Sequence, residues 1–290
     1  MKNKSLIIAT LSGTLAFTFS SCNNSNTGTT GGDKTKDTIK TAPANTTPVA
    51  DNADDDLLPN LLQIGSIMKN SELSYIQGLT NPISDVSKYS TLYEQDLNLG
   101  IYIGDLAYCT LNKKTQESTD YLKVVKTLSD DIGIGKVFET DSFSKRYQAN
   151  INNEDSLANL VAELQEKVDD LLKNNKQNNV RVVMYSGAWI ENMYIGATVY
   201  AKTKNSSSGV HLMEQMTILE NMLKVLDKYK SADQHINGLY TDLKEVDDAY
   251  KTFDEAKNYN PDNKQPFAFT DEHIKKLTGM LEALHAKYIK

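Results

Sequence analysis

Scarcity limits this chain before anything it contains. Only two of its 290 residues are cysteines, Cys22 and Cys109, so a disulfide framework is excluded and the fold must stand on its core. Prolines number six, and none falls between Pro82 and Pro261, which leaves the middle of the chain without the strongest helix breaker. Basic charge is short as well: 31 Lys and Arg against 38 Asp and Glu leave a formal charge of −7, with no local basic cluster. That excludes the electrostatic footprint of a nucleic-acid binder. No stretch sustains period-two alternation, so a sheet is not expected. The chain has no G-x-S-x-G elbow, no Walker A loop, no G-x-G-x-x-G after a strand and no C-x-x-C. What remains, 39% hydrophobic and 24% charged residues, suits an all-α globular domain with a sizeable core.

The most specific signal lies at the N-terminus. Lys2 and Lys4 precede an apolar and hydroxylated run, Ser5 to Phe19, of secretory length and too short for a transmembrane helix. It ends Phe19-Ser20-Ser21-Cys22, which looks like a bacterial lipobox with Phe in place of the usual Leu. Residues 1–21 are therefore expected to be a lipoprotein signal peptide and Cys22 the lipidated first residue; an ordinary signal peptide with an incidental cysteine is the competing reading. Losing Lys2 and Lys4 with that peptide takes the formal charge from −7 to −9. From Asn23 to Asp56 the chain is Asn, Thr, Gly and Asp with almost no large apolar residue, a composition unable to offset its own ordering entropy. Residues 22–56 read as the lipidated cysteine and a disordered tether, about 30 Å in mean reach.

Residues 57–290 read as one all-helical domain, an antiparallel bundle of about seven to nine helices. Pro59 suits the first turn of a helix through Met68, and Pro82 marks a turn. One apolar stripe joins Leu157, Leu160, Val161, Leu164, Val168, Leu171 and Leu172 behind Asn152 and Asn153 as caps. Another joins Ile236, Leu239, Leu243, Val246, Tyr250 and Phe253, and a third, behind a Thr270 cap, Ile274, Leu277, Leu281, Leu284 and Tyr288. A tetratricopeptide-like solenoid is the alternative, suggested by Leu99-Gly100-x-Tyr102, but no repeat of about 34 residues recurs.

Two segments are apolar nearly all round, Asn98 to Cys109 and Val180 to Ala201, which places them at the bundle centre, since Asp105, Arg181, Glu191 and Asn192 make a membrane span costly. Gly100, Gly104 and Ala107 on the first, with Gly187 and Gly196 on the second, are expected to let backbones approach closely. Asp105 and Glu191 are the candidate buried polar site, with Arg181, Tyr102 and Tyr194 as prospective partners. A carboxylate inside an apolar helix must find a donor or keep its proton. Functionally they would pair as acid and base or as cation ligands; structurally they would be hydrogen-bonded to Tyr102, Tyr108, Tyr194, Asn192 or Arg181 and fix helix register. Glu282-Ala283-Leu284-His285 has the Glu-x-x-His spacing of di-iron proteins, but a single pair without two further inward glutamates does not make a metal site, and no cofactor is implied. Cys109 reads as a small buried hydrophobe, with no His near it in sequence.

The segments NLGIYIGDLAY and GAWIENMYIG resemble a group of uncharacterised envelope lipoproteins of Bacteroidota-type bacteria, over much of Asn98 to Ile195. The resemblance implies an all-helical domain behind a lipobox and carries no activity. Because Asn23-Asn24-Ser25-Asn26 lacks the acids that often follow the lipidated cysteine in surface-exported members, it points to the periplasmic face of the outer membrane, with the cell surface as the alternative. Two function classes remain. The first is a lipid-anchored, non-enzymatic binding or structural module that meets an envelope protein or small ligand. The second is an unrecognised carboxylate- or metal-dependent enzyme using Asp105 and Glu191.

Overall fold

The computed structural model describes residues 57–59, 63–65, 73–138, 143–151, 153–260 and 268–289. The chain divides into Met1–Thr47, which lies outside the described residues, and Pro48–Lys290, which holds all of them. The signal peptide, Cys22 and the tether up to Asp56 fall outside them, as does Asn152. Of the helix expected from Pro59 to Met68, residues 63–65 are helical and most of the rest is not described.

The described residues contain helices and no strand. A 3-10 turn at Ile83–Lys88, led in by Pro82, precedes α1 (Leu92–Leu111) and α2 (Thr115–Asp131). Gly133, at a φ of 80°, ends the second of these, and a 3-10 turn, Gly135–Phe138, follows. Next come α3 (Phe143–Ala149), α4 (Glu154–Asn174), α5 (Asn178–Thr203), α6 (Ser206–Tyr229), α7 (Gln234–Lys251), the short α8 (Asp254–Lys257) and α9 (Asp271–Tyr288). Local chemistry sets many of the starts. Thr91 and Glu94 form a capping box on α1, Asn153 accepts from the Ser156 amide on α4, Asp233 caps α7 and Thr270 caps α9.

The three apolar stripes face the core as their spacing requires, with Leu171 and Tyr288 half-buried at its margin. The two apolar helices are the centre: α1 packs on α5 more extensively than any other pair, and α5 also meets α4, α6 and α9. Contacts between elements so distant in sequence make this a bundle, since each unit of a solenoid touches only its neighbours. No described helix is long and apolar enough to cross a membrane.

Consecutive long helices turn back on one another, but the central pair runs parallel. Leu97 and Gly100 lie against Met184, Gly187 and Ala188, and Gly104 lies one turn further on against Glu191 and Asn192. The contact exists because two side chains are missing. A Cβ on Gly100 would stand 1.9 Å from the Met184 carbonyl oxygen, and one on Gly187 1.9 Å from the Leu97 carbonyl oxygen. Gly104 differs, because a Cβ there would meet side chains, Glu191 Cγ at 3.0 Å and Asn192 Oδ1 at 3.1 Å.

These distances order the outcome of alanine substitutions. Gly100→Ala and Gly187→Ala should each destabilise the domain by about 3 kcal/mol or more, because a backbone carbonyl cannot rotate away. Gly104→Ala should cost about 1 kcal/mol, since side chains can give. Gly238→Ala, inside α7 with nothing within 4 Å, should stabilise by about 0.4–1 kcal/mol. Urea denaturation of the four variants checks the order, and equal costs at Gly100 and Gly238 would contradict the packing.

Candidate functional site

The close approach of α1 and α5 brings Asp105 and Glu191 together at the bundle centre, both with 0% of their surface exposed. Asp105 is held from outside its helix: its Oδ2 accepts from the Asn81 amide at 3.2 Å and from Asn81 Nδ2 at 2.8 Å. Glu191 reaches the other way, towards α9, where His285 Nε2 lies 2.7 Å from its Oε2. That contact is short but misaligned for a hydrogen bond. With both acids ionised, Asp105 Oδ1, both Glu191 oxygens, Asn192 Oδ1 and His285 Nε2 are buried without hydrogen-bond partners. The Tyr194 ring stacks on His285 at 4.1 Å between centroids and closes that side.

Two buried carboxylates with donors on Asp105 Oδ2 alone would be very costly, and protonation lowers the cost. Burial lifts the Glu191 carboxyl to about 8. Burial also raises Asp105 well above the usual carboxylate range, and the neighbouring charge of Glu191 adds to it. Burial holds the imidazole of His285 down to about 4, against smaller upward pulls from Asp105 and Glu282. At neutral pH Glu191 and His285 are thus uncharged, and Asp105 is shifted towards its protonated form. A protonated carboxyl supplies the donor that facing acceptors lack, so a proton on the Asp105–Glu191 pair satisfies oxygens that two carboxylates would leave bare.

Of the prospective partners, the structure keeps only some. Arg181 lies ten residues before Glu191, about 15 Å along the helix axis. It is turned to α4, where its Nε and guanidinium nitrogen meet Asp169 Oδ1 at 3.0 and 2.9 Å, and it also bonds Asn178. The Tyr102 hydroxyl donates to the Pro82 carbonyl at 2.8 Å, and the Tyr108 hydroxyl to that of Ser74 at 2.8 Å. Both tyrosines pin the 73–88 segment onto α1 and neither serves the carboxyls. Tyr194 belongs to the site through His285, and Asn192 spends its amide on the Ile64 carbonyl at 3.1 Å. Asn81 and His285 are the residues that sequence reasoning missed. His285 stands one residue beyond Leu284 and four beyond Leu281, on the flank of the apolar stripe of α9, where periodicity alone puts the boundary of burial.

Among the described residues no group of three or more His, Cys, Asp or Glu is arranged to hold a metal ion. Glu282, the other half of the Glu-x-x-His pair, is exposed. Cys109 is buried and free, its thiol pushed up by burial and therefore a poor nucleophile. Four surface cavities, one at the α1–α2 turn, two along α6 and α7, and one between α7 and α9, are lined by residues other than Asp105, Glu191 and His285. Comparison with known proteins adds no relative: no family model, curated protein or solved structure matches this chain.

The cluster has a pH signature. Glu191 keeps its proton in the folded chain up to about 8 but would ionise from about 4.5 when unfolded, so its contribution is fully present below 4.5 and lost as pH rises to 8. His285 works in the opposite sense between about 4 and 6.5, because only the unfolded imidazole takes up a proton there. Between pH 6.5 and 8 the histidine no longer contributes, and the raised carboxyls of the Asp105–Glu191 pair act in the same direction as Asp96, which burial lifts to about 7. Stability should therefore fall across that interval, with Glu191 responsible for as much as about 2 kcal/mol. Glu191→Gln should remove that share while Asp96 keeps its own. Parallel slopes for wild type and variant, from urea midpoints at each pH, would refute the assignment.

Proposed function

We propose that this chain is a lipid-anchored envelope protein whose helical domain is a non-enzymatic binding or structural module, held on the periplasmic side of the outer membrane by lipid on Cys22. The anchor is supported by the sequence alone, by the basic start, the short apolar run and the Phe19-Ser20-Ser21-Cys22 ending. One observation carries the non-catalytic role of the central polar groups. Asp105 and Glu191, the pair best suited to acid–base chemistry, have no exposed surface, and the one histidine against them is capped by Tyr194. An enzyme acting through them would have to part α1 from α5 along their tightest contact before a substrate touched either carboxyl.

A low-pKa base or a raised-pKa acid is useful only where a reacting atom can come within about 3 Å of it. Here the raised carboxyl instead removes charge from the interior, which is what a structural network needs. The partner is then met by the outer faces of the bundle, as an envelope protein or a small ligand seated between helices.

The anchor and the domain separate in one experiment. Cys22→Ala should move the protein from the membrane to the soluble fraction after a carbonate wash, with an unchanged helical circular-dichroism spectrum and thermal midpoint, because the lipid attaches well outside the core. Retention of the alanine variant on membranes would overturn the anchor. In a deletion strain, Glu191→Gln on the lipidated protein should complement as wild type does, and loss of complementation by a stably folded variant would favour the enzymatic reading.

A further inference from the structure

We propose that residues 74–88 form a strap that lifts off α1 and α2 on its own, and that loss of a proton from the Asp105–Glu191 pair beneath it makes it lift more often. The strap is held differently from the rest of the domain. Its ends are anchored by the buried Leu73 and Tyr89, but between them only Leu79 and Asn81 are buried. Most of its hold is hydrogen bonding to side chains of the two helices. The Tyr108 hydroxyl accepts from the Ile76 amide and donates to the Ser74 carbonyl, both at 2.8 Å. The Tyr102 hydroxyl donates to the Pro82 carbonyl at 2.8 Å, and the Tyr121 hydroxyl to the Asn81 carbonyl at 2.6 Å. Asn81 is the latch, with its amide and its Nδ2 both donating to Asp105 Oδ2.

Lifting the strap uncovers one buried leucine and the half-buried Tyr75, Ile76 and Val86, and water replaces each hydrogen bond. The other element laid against the pair, α9, would have to uncover Ile274, Leu277, Leu281 and Leu284. The strap is therefore the easier cover to lift. Its opening admits water to Asp105 Oδ2 and leaves the contact between α1 and α5 intact.

Charge couples to this motion because the closed strap leaves both acids with no exposed surface. A protonated pair tolerates that position and an ionised pair does not, so closing holds the protons and losing them favours the open form. The closed form keeps the Glu191 proton up to about 8, and the preference for closing is lost as pH rises towards that value. The groups around the pair stay constant meanwhile. Tyr102 and Cys109 face it from α1, Tyr121 from α2, Tyr75 and Tyr89 from the strap and Tyr194 from α5, all pushed above their ordinary values by burial. From α9 come His285, which burial keeps neutral above about 4, and beyond it the exposed Glu282. The strap's own Asp85 and Lys88 pair with each other at 3.1 Å and move with it.

Hydrogen exchange of the full chain, read by mass spectrometry and corrected for the intrinsic pH dependence of amide exchange, tests both halves. A peptide covering 74–82 holds the bonded amides of Ile76, Leu79 and Asn81. It should exchange at least about tenfold faster than peptides from α5 and α9, because it opens without them. Its protection should fall by up to about tenfold per pH unit from about pH 6 to 8, the slope of one proton released on opening. The double variant Asp105→Asn, Glu191→Gln keeps the shapes and an acceptor for Asn81 but cannot ionise, so its strap should be equally protected at both ends of that interval. Asn81→Ala, which removes the Nδ2 half of the latch, should speed exchange of the strap at every pH and leave α5 and α9 as they were. The proposal is overturned if the 74–82 peptide exchanges no faster than α9, if its protection stays level across the interval, or if the slope persists in the double variant.

Discussion

Everything at the centre of this protein depends on two backbones touching. The Leu97 and Met184 carbonyl oxygens occupy the places where side chains of residues 187 and 100 would stand, and both residues are glycine. An interior glycine costs a helix roughly 1 kcal/mol, and two such sites are tolerable only because the approach buries the long, apolar α1 and α5 against each other. Once that approach is made, much else follows. The remaining faces of α5 are covered by α4, α6 and α9, which explains why it is apolar all round where the outer helices carry a single stripe.

The same approach creates the polar cluster. One turn beyond the Gly100 contact, Gly104 leaves space for the Glu191 stem, and the next residue, Asp105, is carried into the interior with it. A core that buried two charges here would lose more than their mutual arrangement could return. The cluster reduces this cost by shedding charge, with the carboxyls raised and the imidazole lowered, all mainly by burial. Directional contacts are then its remaining contribution: Asp105 is hydrogen-bonded to Asn81 before α1, and Glu191 lies against His285 on α9.

How far the sequence disclosed this depends on what kind of signal each feature leaves. Asn153 and Thr270 are visible as caps because capping is a local bond between a side chain and amides two or three residues away. The stripes on α4, α7 and α9 are visible because burial repeats with the helix turn, and Gly100 and Gly187 stand out because such residues are disfavoured inside helices unless something comes close. Periodicity, however, says which face is covered and not what covers it. The parallel course of α1 and α5, the capture of Arg181 by Asp169, and the arrival of Asn81 and His285 at the carboxyls are all decided by partners distant in sequence. His285 is the sharpest case, since its spacing from Glu282 suggests a ligand pair while the fold uses only the histidine, and uses it uncharged.

Parallel helices joined by small residues have an ambiguity that the polar cluster resolves. Gly100, Gly104 and Ala107 form a shallow track along α1, and a slip of one turn against α5 would still find a glycine opposite the Met184 carbonyl. Apolar packing alone would separate the two registers weakly, because both bury much the same side chains. In a slipped register that parted Asp105 from Asn81, a buried carboxyl would lose the two donors that answer it. An unanswered buried carboxyl costs several times more than a misfitted methyl group. The glycines therefore permit the contact, and the Asp105–Asn81 bonds favour one register of it over the other.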